Sequence, residues 1–352
     1  MKNAFATNLN RARKNRGLTM EELASMVKCT KQAISHYENS LRMPDSKTLI
    51  SIAEVLGYDI DYFYKGTYDV NFSLLKVNYR DGYFLNEKER NSVEEIVEKS
   101  LNEYLELENI ADELVKFDNP LHDLFITSFD DVEKAAKQLR KKWKLGEGPI
   151  HNISSLLEKK GVRLMKIDFG YQYAHEGLSG WTDNDIPVII VNAKQQDVSR
   201  TRFTLLHELA HLLLNICKSI CEDTVEKFCD TFAGAVLLPK EVLEEEFGKN
   251  RTAISMPELK RIKELYGISI IAIMVRAATT KLISWDSFNK WKQSDLSNYD
   301  FGQFDGVEEP KRFSQMLYRC LSERKIGLDK AAQLAHKDEI KLKQFYEQQL
   351  VF

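Results

Sequence analysis

Two histidines and a glutamate stand within one short apolar run, His207-Glu208-Leu209-Ala210-His211. Residues four apart in a helix lie one turn above each other, so both imidazoles can reach a single metal ion. Glu208 lies between them, where its carboxylate can take a proton from a water molecule beside the metal. The alternative is a helix with two satisfied histidines and a surface glutamate, because short HExxH matches also arise by chance. The run predicts metal-assisted hydrolysis, and its surroundings decide between the two.

A second helical segment offers a third metal ligand. Glu226 and Asp230 share one face at i, i+4 spacing, while Phe228 and Phe232 can face the core. A catalytic zinc site uses three protein ligands and leaves the fourth position for water. Glu226 suits the third ligand, and Asp230 suits a carboxylate that holds a ligand histidine in one tautomer. The alternative is an amphipathic helix with a solvated acidic face, and the nearby HExxH run favours the ligand interpretation.

Several separated motifs surround these two segments. They are RFTLLHELAHLLL from Arg202, ExxxDxFAGAVLLP from Glu226, and the upstream runs 135–143, 176–181 and 186–192. Together they resemble the ImmA/IrrE-type metallopeptidases over roughly residues 130–280. The departures are small: Cys229 stands where the family usually has alanine, and Val236 where it usually has leucine.

The resemblance implies a zincin-like domain that holds Zn²⁺ through His207, His211 and Glu226. Glu208 is then the catalytic base, and Asp230 orients a ligand histidine. It also implies an endopeptidase that cleaves a helix-turn-helix repressor in response to DNA damage or stress. The expected activity is therefore that of a zinc metalloendopeptidase.

Other residues near this region are further candidates for a role in the site or in the fold. Tyr171, Tyr173 and His175 are candidates for stabilising an oxyanion, while Arg202 is expected to secure the helix start or the fold. Three cysteines, Cys217, Cys221 and Cys229, follow the HExxH run closely. Free cysteines mostly behave as small core residues, but a zinc site or an oxidation switch at Cys217 and Cys221 is the alternative.

Residues 1–66 carry a second, independent pattern of short helices. Thr19 with Glu22 forms a capping box, Thr30 caps the next helix, and Gly57 closes a fourth. The motifs are Glu22-Leu23-Ala24, Ile34-Ser35, Glu38, Pro44 and Leu56-Gly57. The pattern resembles the XRE (Cro/C1-type) helix-turn-helix domain over its whole length, with Ser40 where that family often has glycine.

In a helix-turn-helix domain the third helix enters the major groove of DNA. The side chains expected to contact DNA are Lys31, Gln32, Ser35 and His36, with Arg42 on the phosphate backbone. Residues 1–66 hold ten Lys/Arg against seven Asp/Glu, a net charge of +3. This modest excess predicts weak binding by one copy, so we expect a homodimer on a double-stranded operator. A bundle used only for protein contacts is the alternative.

The chain of 352 residues has room for several domains. We expect a helix-turn-helix domain at 1–66, an acidic helical linker at 67–128, a metallopeptidase domain at 129–285 and a helical C-terminal region of unknown role at 286–352. Residues 67–118 hold thirteen acidic against six basic side chains, a net charge of −7. The linker helix is expected to pack against the peptidase domain, with a dimerisation helix as the alternative.

The predicted fold class is α+β, mostly α. It combines a five-helix N-terminal bundle with a zincin-like domain whose small β-sheet packs on the HExxH helices. Strands are predicted at 162–169, at the GLSGW run and at 187–192, and together they suggest a small β-meander. The strand that ends at Asn192 is expected to form an edge that a substrate peptide can extend by backbone pairing.

No stretch approaches eighteen apolar residues, and the N-terminus lacks the apolar core of a signal peptide, so we expect a cytoplasmic protein without membrane contact.

Two functions remain open from the sequence. The first function is a transcriptional regulator whose zinc endopeptidase cleaves a repressor, a toxin-like partner or the chain itself, in a stress, mobile-element or toxin–antitoxin circuit. The second is a regulator or antitoxin whose zinc domain senses or binds a partner without proteolysis. Glu208 favours the first, because a structural metal site needs no base.

Overall fold

The computed structural model describes residues 2–16, 18–64, 72–74, 87–168, 176–195, 197–249, 251–298 and 301–349. The chain divides into two compact units. The first unit comprises Met1–Val70, Ile96–Leu114 and Lys311–Phe352, and the second comprises Asn71–Glu95 and Val115–Pro310. The predicted linker 67–128 and the predicted C-terminal region 286–352 are thus each divided between the two units.

Helices dominate both units. Among the described residues, no helix has the length and apolar character that a membrane span requires. The α-helices are α1 (Lys2–Asn15), α2 (Met20–Met26), α3 (Lys31–Glu38), α4 (Ser46–Leu56), α5 (Glu87–Ala111), α6 (Phe129–Lys142), α7 (Ile153–Lys159), α8 (Val198–Leu213), α9 (Glu222–Leu237), α10 (Lys240–Phe247), α11 (Met256–Tyr266), α12 (Ile270–Thr279), α13 (Trp285–Lys292), α14 (Arg312–Ser322), α15 (Leu328–Leu334) and α16 (Glu339–Gln349). Short 3-10 helices span Ile60–Tyr64 and Asp295–Asn298.

The N-terminal bundle consists of α1 to α4 and the 3-10 helix that follows them, as predicted. Thr19 accepts a hydrogen bond from the Glu22 amide, and the Glu22 carboxylate accepts one from the Thr19 amide. This is the predicted capping box, which satisfies two amides that a helix start leaves unpaired. Thr30 caps α3 through its side chain, which accepts a hydrogen bond from the Ala33 amide, and Gly57 ends α4 at φ +74°, a backbone angle that favours glycine.

The prediction that α5 packs against the peptidase domain is wrong for its residues 96–111, which belong to the unit of this bundle; its residues 87–95 belong to the second unit. The reason is a set of buried charge pairs with the C-terminal helices. Lys330 is fully buried, and its Nζ lies 2.9 Å from Glu106 Oε1. Arg312 pairs with the buried Glu108 in the same way. The acidic face of α5 is therefore neutralised by residues more than two hundred positions away, which local sequence patterns do not reveal.

A four-stranded sheet lies in the second unit. Its strands are β1 (Phe72–Leu74), β3 (Arg163–Ile167), β4 (Gly177–Thr182) and β5 (Pro187–Asn192), and β2 (Phe125–Ile126) and β6 (Asn215–Ile216) form a separate parallel pair. The order is β1-β4-β5-β3, where β4 is antiparallel to β1 and β5, and β3 is parallel to β5.

This topology corrects two predictions about the strands. The sheet is not a meander, because β3 pairs with β5 and not with β4. The strand that ends at Asn192 is not an edge, because β5 lies between β4 and β3. All residues of β5 are buried, and a continuous apolar run of this kind is typical of an inner strand. Within the described part of this sheet, the edges are β1 and β3.

Helix α8 lies at the centre of the second unit, in contact with α9, α7 and the strands β4 and β5. Its apolar side chains, such as Leu205, Leu206 and Leu209, are fully buried, and α9 buries Phe228 and Phe232 against them. Burying one such side chain contributes about 1.5–3 kcal/mol relative to exposure. The packing fixes the rotation of both helices, and so the direction of their polar side chains.

A buried ion pair holds the start of α8. Arg202 is fully buried, and its Nη1 donates to Glu308 Oε1 at 2.5 Å. Its Nη2 donates to the carbonyl of Ile150 at 2.6 Å. Glu308 also accepts hydrogen bonds from the amides of Ile153 and Ser154, which begin α7. These contacts agree with the expected role of Arg202 in securing the fold.

Candidate functional site

The two histidines of the HExxH run lie on the α8 surface that faces α9. Asp197 caps α8 by accepting a hydrogen bond from the Arg200 amide at 2.7 Å, which sets the helix register. His207 and His211 follow four residues apart, and their Nε2 atoms are 3.2 Å apart. His207 is buried, with 8% of its surface exposed. The helix therefore brings both imidazoles to one point, as their spacing predicts.

Glu226 reaches the same point from α9. Its Oε2 lies 3.1 Å from His207 Nε2, and its Oε1 lies 3.6 Å from His211 Nε2. Among the residues that the structure describes, these three form the one group of His, Cys, Asp and Glu side chains able to share a metal ion. The three residues that the sequence nominates as ligands are thus brought together.

The separations of the three donor atoms fit a tetrahedral metal. Zinc–nitrogen distances of about 2.0–2.1 Å with tetrahedral angles separate two ligand atoms by about 3.3 Å. The observed separations of 3.1, 3.2 and 3.6 Å lie around this value. Two imidazoles and one carboxylate are also the donor set of catalytic zinc with an open fourth position. The side chains present can therefore hold a zinc ion.

Asp230 contacts His207 at the ring nitrogen that does not face Glu226. Its Oδ1 lies 2.9 Å from His207 Nδ1, so this ring nitrogen donates and Nε2 is left to point toward Glu226. Burial lowers the pKa of His207, but hydrogen bonds to Asp230 and Glu226 outweigh it and raise the pKa to about 9. Burial raises the pKa of Glu226, but hydrogen bonds with His207 and His211 lower it to about 2. Both shifts favour the charged forms of His207 and Glu226, because each group stabilises the charge of the other.

Glu208 is held by strand β4. It is buried, with 4% of its surface exposed, and Ser179 Oγ donates a hydrogen bond to its Oε2 at 2.6 Å. Gly177 on the same strand permits the close packing of β4 against α8, because a Cβ atom there would lie 2.5 Å from Thr204 Cγ2. Sequence reasoning missed the contact of Ser179 with Glu208. The available signal was the two-residue period of a strand, which places residues 177 and 179 on the same face of β4.

Cys229 lies behind the second histidine. Its Sγ is 3.5 Å from His211 Nδ1, and the side chain is fully buried. Burial raises the pKa of this thiol well above its usual value, with smaller contributions from nearby carboxylates. The thiol is therefore neutral at physiological pH and can accept a weak hydrogen bond from the ring. Cys229, which stands where alanine is usual, thus contacts the candidate ligand His211 directly. The sequence did not indicate this contact.

The remaining candidates are not brought to this site. Cys217 and Cys221 hydrogen-bond to neighbouring hydroxyl groups, which lower the pKa of each thiol. Neither belongs to a group of three metal-ligand side chains among the described residues. The oxyanion candidates Tyr171, Tyr173 and His175 lie outside the described residues. The candidate site consequently rests on α8, α9 and β4.

Helix α3 presents the predicted DNA-contacting side chains. Lys31 and Gln32 are exposed at its first turn, and Lys31 Nζ lies 3.2 Å from Glu21 Oε2 on α2. Ser35 and His36, one turn later, are partly buried, while Arg42 beyond the helix is exposed.

Arg13 and Glu38 fix α1 against α3. Arg13 Nε donates to Glu38 Oε1 at 2.6 Å, with both side chains mostly buried. Asn10 also donates to Glu38, at 2.6 Å. These contacts fix α3, including its exposed start, against α1.

Fold and site together define a class of protein: a DNA-binding helix-turn-helix domain joined to a metallopeptidase-like domain. Residues 9–63 match the family model described as Helix-turn-helix. Residues 157–278 match the family model described as IrrE N-terminal-like domain. The chain therefore combines a helix-turn-helix domain of the type found in transcriptional regulators with an IrrE-like peptidase-family domain, as the sequence motifs predict.

Curated relatives match a short part of the chain. An uncharacterized HTH-type transcriptional regulator, YqaE of Bacillus subtilis strain 168, is 40% identical over 62 residues, which are 18% of this chain and 53% of the relative. The SPbeta prophage-derived uncharacterized HTH-type transcriptional regulator YonR of the same organism is 31% identical over 64 residues, which are 18% of this chain and 59% of the relative. The chain thus spans little more than half the length of these relatives.

Two solved structures align along nearly the whole chain at low similarity. The first is PlcR of Bacillus thuringiensis in complex with the peptide PapR7 and DNA, 13% identical, with 99% of this chain and 100% of that chain covered. The second is the apo form of ComR from S. thermophilus, 14% identical, with 99% and 98% covered. Both have a TM-score of 0.17. Such scores support no conclusion about the fold.

Proposed function

We propose that this protein is a DNA-binding transcriptional regulator whose second domain is a zinc-dependent endopeptidase that cleaves a regulatory protein. The convergence of His207, His211 and Glu226, with Glu208 beside them, carries the proposal. The substrate is a repressor or another protein partner. On DNA, the chain acts as a homodimer that binds an operator through the two copies of α3.

The side chains divide the chemistry between them. His207, His211 and Glu226 would hold the zinc ion, which would supply Lewis-acid polarisation of the scissile carbonyl and a lowered pKa of a water molecule. Glu208 takes the proton from the attacking water and passes it to the leaving amine. Ser179 holds one oxygen of Glu208 and leaves the other for this proton transfer. Asp230 and Cys229 hold the far sides of the two imidazoles.

A domain that only senses or binds a partner is less favoured. Such a domain would need the metal ligands but not a base, and it would gain nothing from an open fourth ligand position. Here Glu208 is buried next to the ligands and oriented by Ser179, an arrangement that costs desolvation and serves proton transfer. We therefore favour a peptidase domain over a domain that only senses or binds a partner.

The direct test is cleavage of a candidate partner by the zinc-loaded protein. Products of genes adjacent to its own are mixed with it and followed by intact mass spectrometry. We expect one defined cleavage that a zinc chelator abolishes and added zinc restores. Cleavage that is unaffected by the chelator, or no cleavage of any partner, would contradict the proposal.

Replacing Asp230 with asparagine is expected to weaken zinc binding by about 10–100-fold, because the amide holds His207 Nδ1–H less strongly than the carboxylate does. The dissociation constant is measured by competition with a chromogenic chelator. Asp223→Asn, on an exposed position of the same helix, is the matched control and should bind zinc like the parent. Equal affinities of the two variants would remove Asp230 from the site.

Replacing Gln32 or Lys31 with alanine is expected to weaken operator binding by about 1–3 kcal/mol for a base contact. Footprinting and titration at fixed salt measure the effect, because phosphate contacts depend strongly on salt. Lys99→Ala, on the exposed surface of α5, removes the same charge away from α3 and serves as the control. A footprint that Gln32→Ala and Lys31→Ala leave unaltered would exclude both side chains from the DNA-binding surface.

A further inference from the structure

Strand β4 touches the candidate base at two positions. Ser179 Oγ donates a hydrogen bond to Glu208 Oε2 at 2.6 Å, and a Cβ atom at Gly177 would lie 3.1 Å from Glu208 Cγ. Both residues lie on the face of β4 that packs against α8. Neighbouring strands of a sheet run about 4.8 Å apart. A peptide that pairs with β4 would therefore pass within one strand spacing of the backbone that carries Ser179.

A short strand of the chain itself occupies the edge of β4 that faces away from β5. This strand is β1, which runs antiparallel to β4 and lies opposite its residues 180–182. Within the described residues, the pairing ends one position from Ser179. β1 therefore covers the part of this edge that directly follows the contact with Glu208.

β1 is not part of the peptidase-family segment that supplies the other strands of the sheet. Strands β3, β4 and β5 lie within residues 157–278, which match the IrrE-like family model, whereas β1 lies between that match and the helix-turn-helix match at 9–63. β1 has three residues, while a typical strand has about five or six. In the described sheet it pairs with β4 alone. It can therefore leave without breaking another strand pair.

An extended protein segment can bind the edge of a sheet through its backbone, by adding one more strand. On β4, such a segment must pass Ser179 to approach Glu208. A strand of about five or six residues would pair with most of β4, which spans residues 177–182. It would then need positions 180–182, which β1 occupies. β1 and an extended segment on this edge therefore exclude each other.

We propose that β1 is an intramolecular competitor of the substrate. It occupies part of the β4 edge on which an extended segment of the regulatory protein pairs, so that the substrate binds only after β1 has left β4. A segment tethered to its own site has an effective concentration on the order of 1 mM, so even a short strand competes well. This inference rests on the proposed peptidase function and adds to it the regulation of the same site.

Peptide binding without turnover tests the inference. The probe is a fluorescent synthetic peptide with the sequence of residues 68–79, which includes β1. It is titrated by fluorescence anisotropy into the zinc-loaded full chain carrying Glu208→Gln, with and without the double change Ser73→Pro and Leu74→Pro. Backbone amides point alternately to the two sides of a strand, so one of the two prolines removes a donor to β4.

We expect the double proline variant to bind the peptide at least about tenfold more tightly than the parent, because its β4 edge is free. The matched control carries Ser73→Thr and Leu74→Val, which keep both amides and favour a strand, and it should bind no more tightly than the parent. A peptide with prolines at the same two positions should bind weakly to all three chains. Equal affinities of the parent and the double proline variant, or equal binding of the two peptides, would overturn the inference.

Zinc content and Tm identify a folding defect in each variant. If the double proline variant does not fold, the double change Ser73→Gly and Leu74→Gly decides, because glycine weakens a strand and keeps both amides. This variant should bind the peptide at least about threefold more tightly than the threonine–valine control. Equal affinities of these two chains would overturn the inference.

Cleavage of the partner protein by the chains that retain Glu208 separates the inference from the proposed function. Cleavage at least about tenfold faster by the double proline variant supports both. Equal cleavage rates of this variant and the parent leave the peptidase function and overturn the competition. Tighter peptide binding without any cleavage keeps β1 as a competitor on β4 and removes the peptidase function. Cleavage of the parent within its own residues 68–79 would overturn the inference, because β1 would then be a substrate.

Discussion

Glu208→Gln is expected to lower the rate of substrate cleavage by about 10²–10⁴-fold, the usual contribution of a general base. The amide has nearly the shape of the carboxylate and can still accept the hydrogen bond from Ser179, so the fold and the zinc content should be unchanged. The rate is measured on the partner protein that the parent cleaves, with zinc content and Tm determined in parallel.

Glu245→Gln is the matched control for this prediction, because it makes the same change on an exposed surface of α10. It should cleave at the parent rate. Cleavage by Glu208→Gln at the parent rate would contradict the peptidase proposal and favour a domain that only binds its partner. A loss of zinc in Glu208→Gln would instead show that Glu208 helps to hold the metal.

Arg202→Ala is expected to destabilise the second unit by about 3–5 kcal/mol, because it leaves the carboxylate of Glu308 buried without its ion pair. At about 2–4 °C per kcal/mol for a unit of this size, its Tm should fall by about 6–20 °C. Differential scanning calorimetry measures the transition. The partners are 106 positions apart, so the pair ties the segment around Glu308 to α8 and the start of α7.

An exposed arginine provides the comparison. Arg261→Ala breaks a surface pair with Glu246 and should cost about 1 kcal/mol or less. The double variant Arg202→Met with Glu308→Gln should cost less than the sum of its single changes, because neither charge is then left alone. If the Tm of Arg202→Ala lies within about 2 °C of the Tm of Arg261→Ala, the buried pair does not stabilise this unit.

The sequence predicted those features that local spacing determines. The capping box at Thr19, the left-handed end of α4 at Gly57 and the shared face of His207 and His211 all depend on residues within one or two helical turns. The approach of Glu226 to both histidines is a longer-range feature. It could be expected because a catalytic zinc site restricts the type and number of ligands.

The features that the sequence did not predict depend on distant residues. Pairing of β3 with β5 joins strands separated by all of β4, and no local periodicity distinguishes it from a meander. Ser179 and Glu208 meet only because β4 lies against α8. Residues 96–111 of α5 were assigned to the wrong neighbour for the same reason, since Lys330 is far along the chain from Glu106.

The zinc content of the purified full chain tests the central claim most directly. It is measured by inductively coupled plasma mass spectrometry after dialysis, for the parent, His211→Ala, Glu226→Ala and the double variant Cys217→Ser with Cys221→Ser. We predict one zinc ion per chain in the parent and in the double cysteine variant, and a loss of zinc in the other two. A parent without zinc, or zinc that survives Glu226→Ala but is lost with the two cysteines, would contradict a site built by His207, His211 and Glu226.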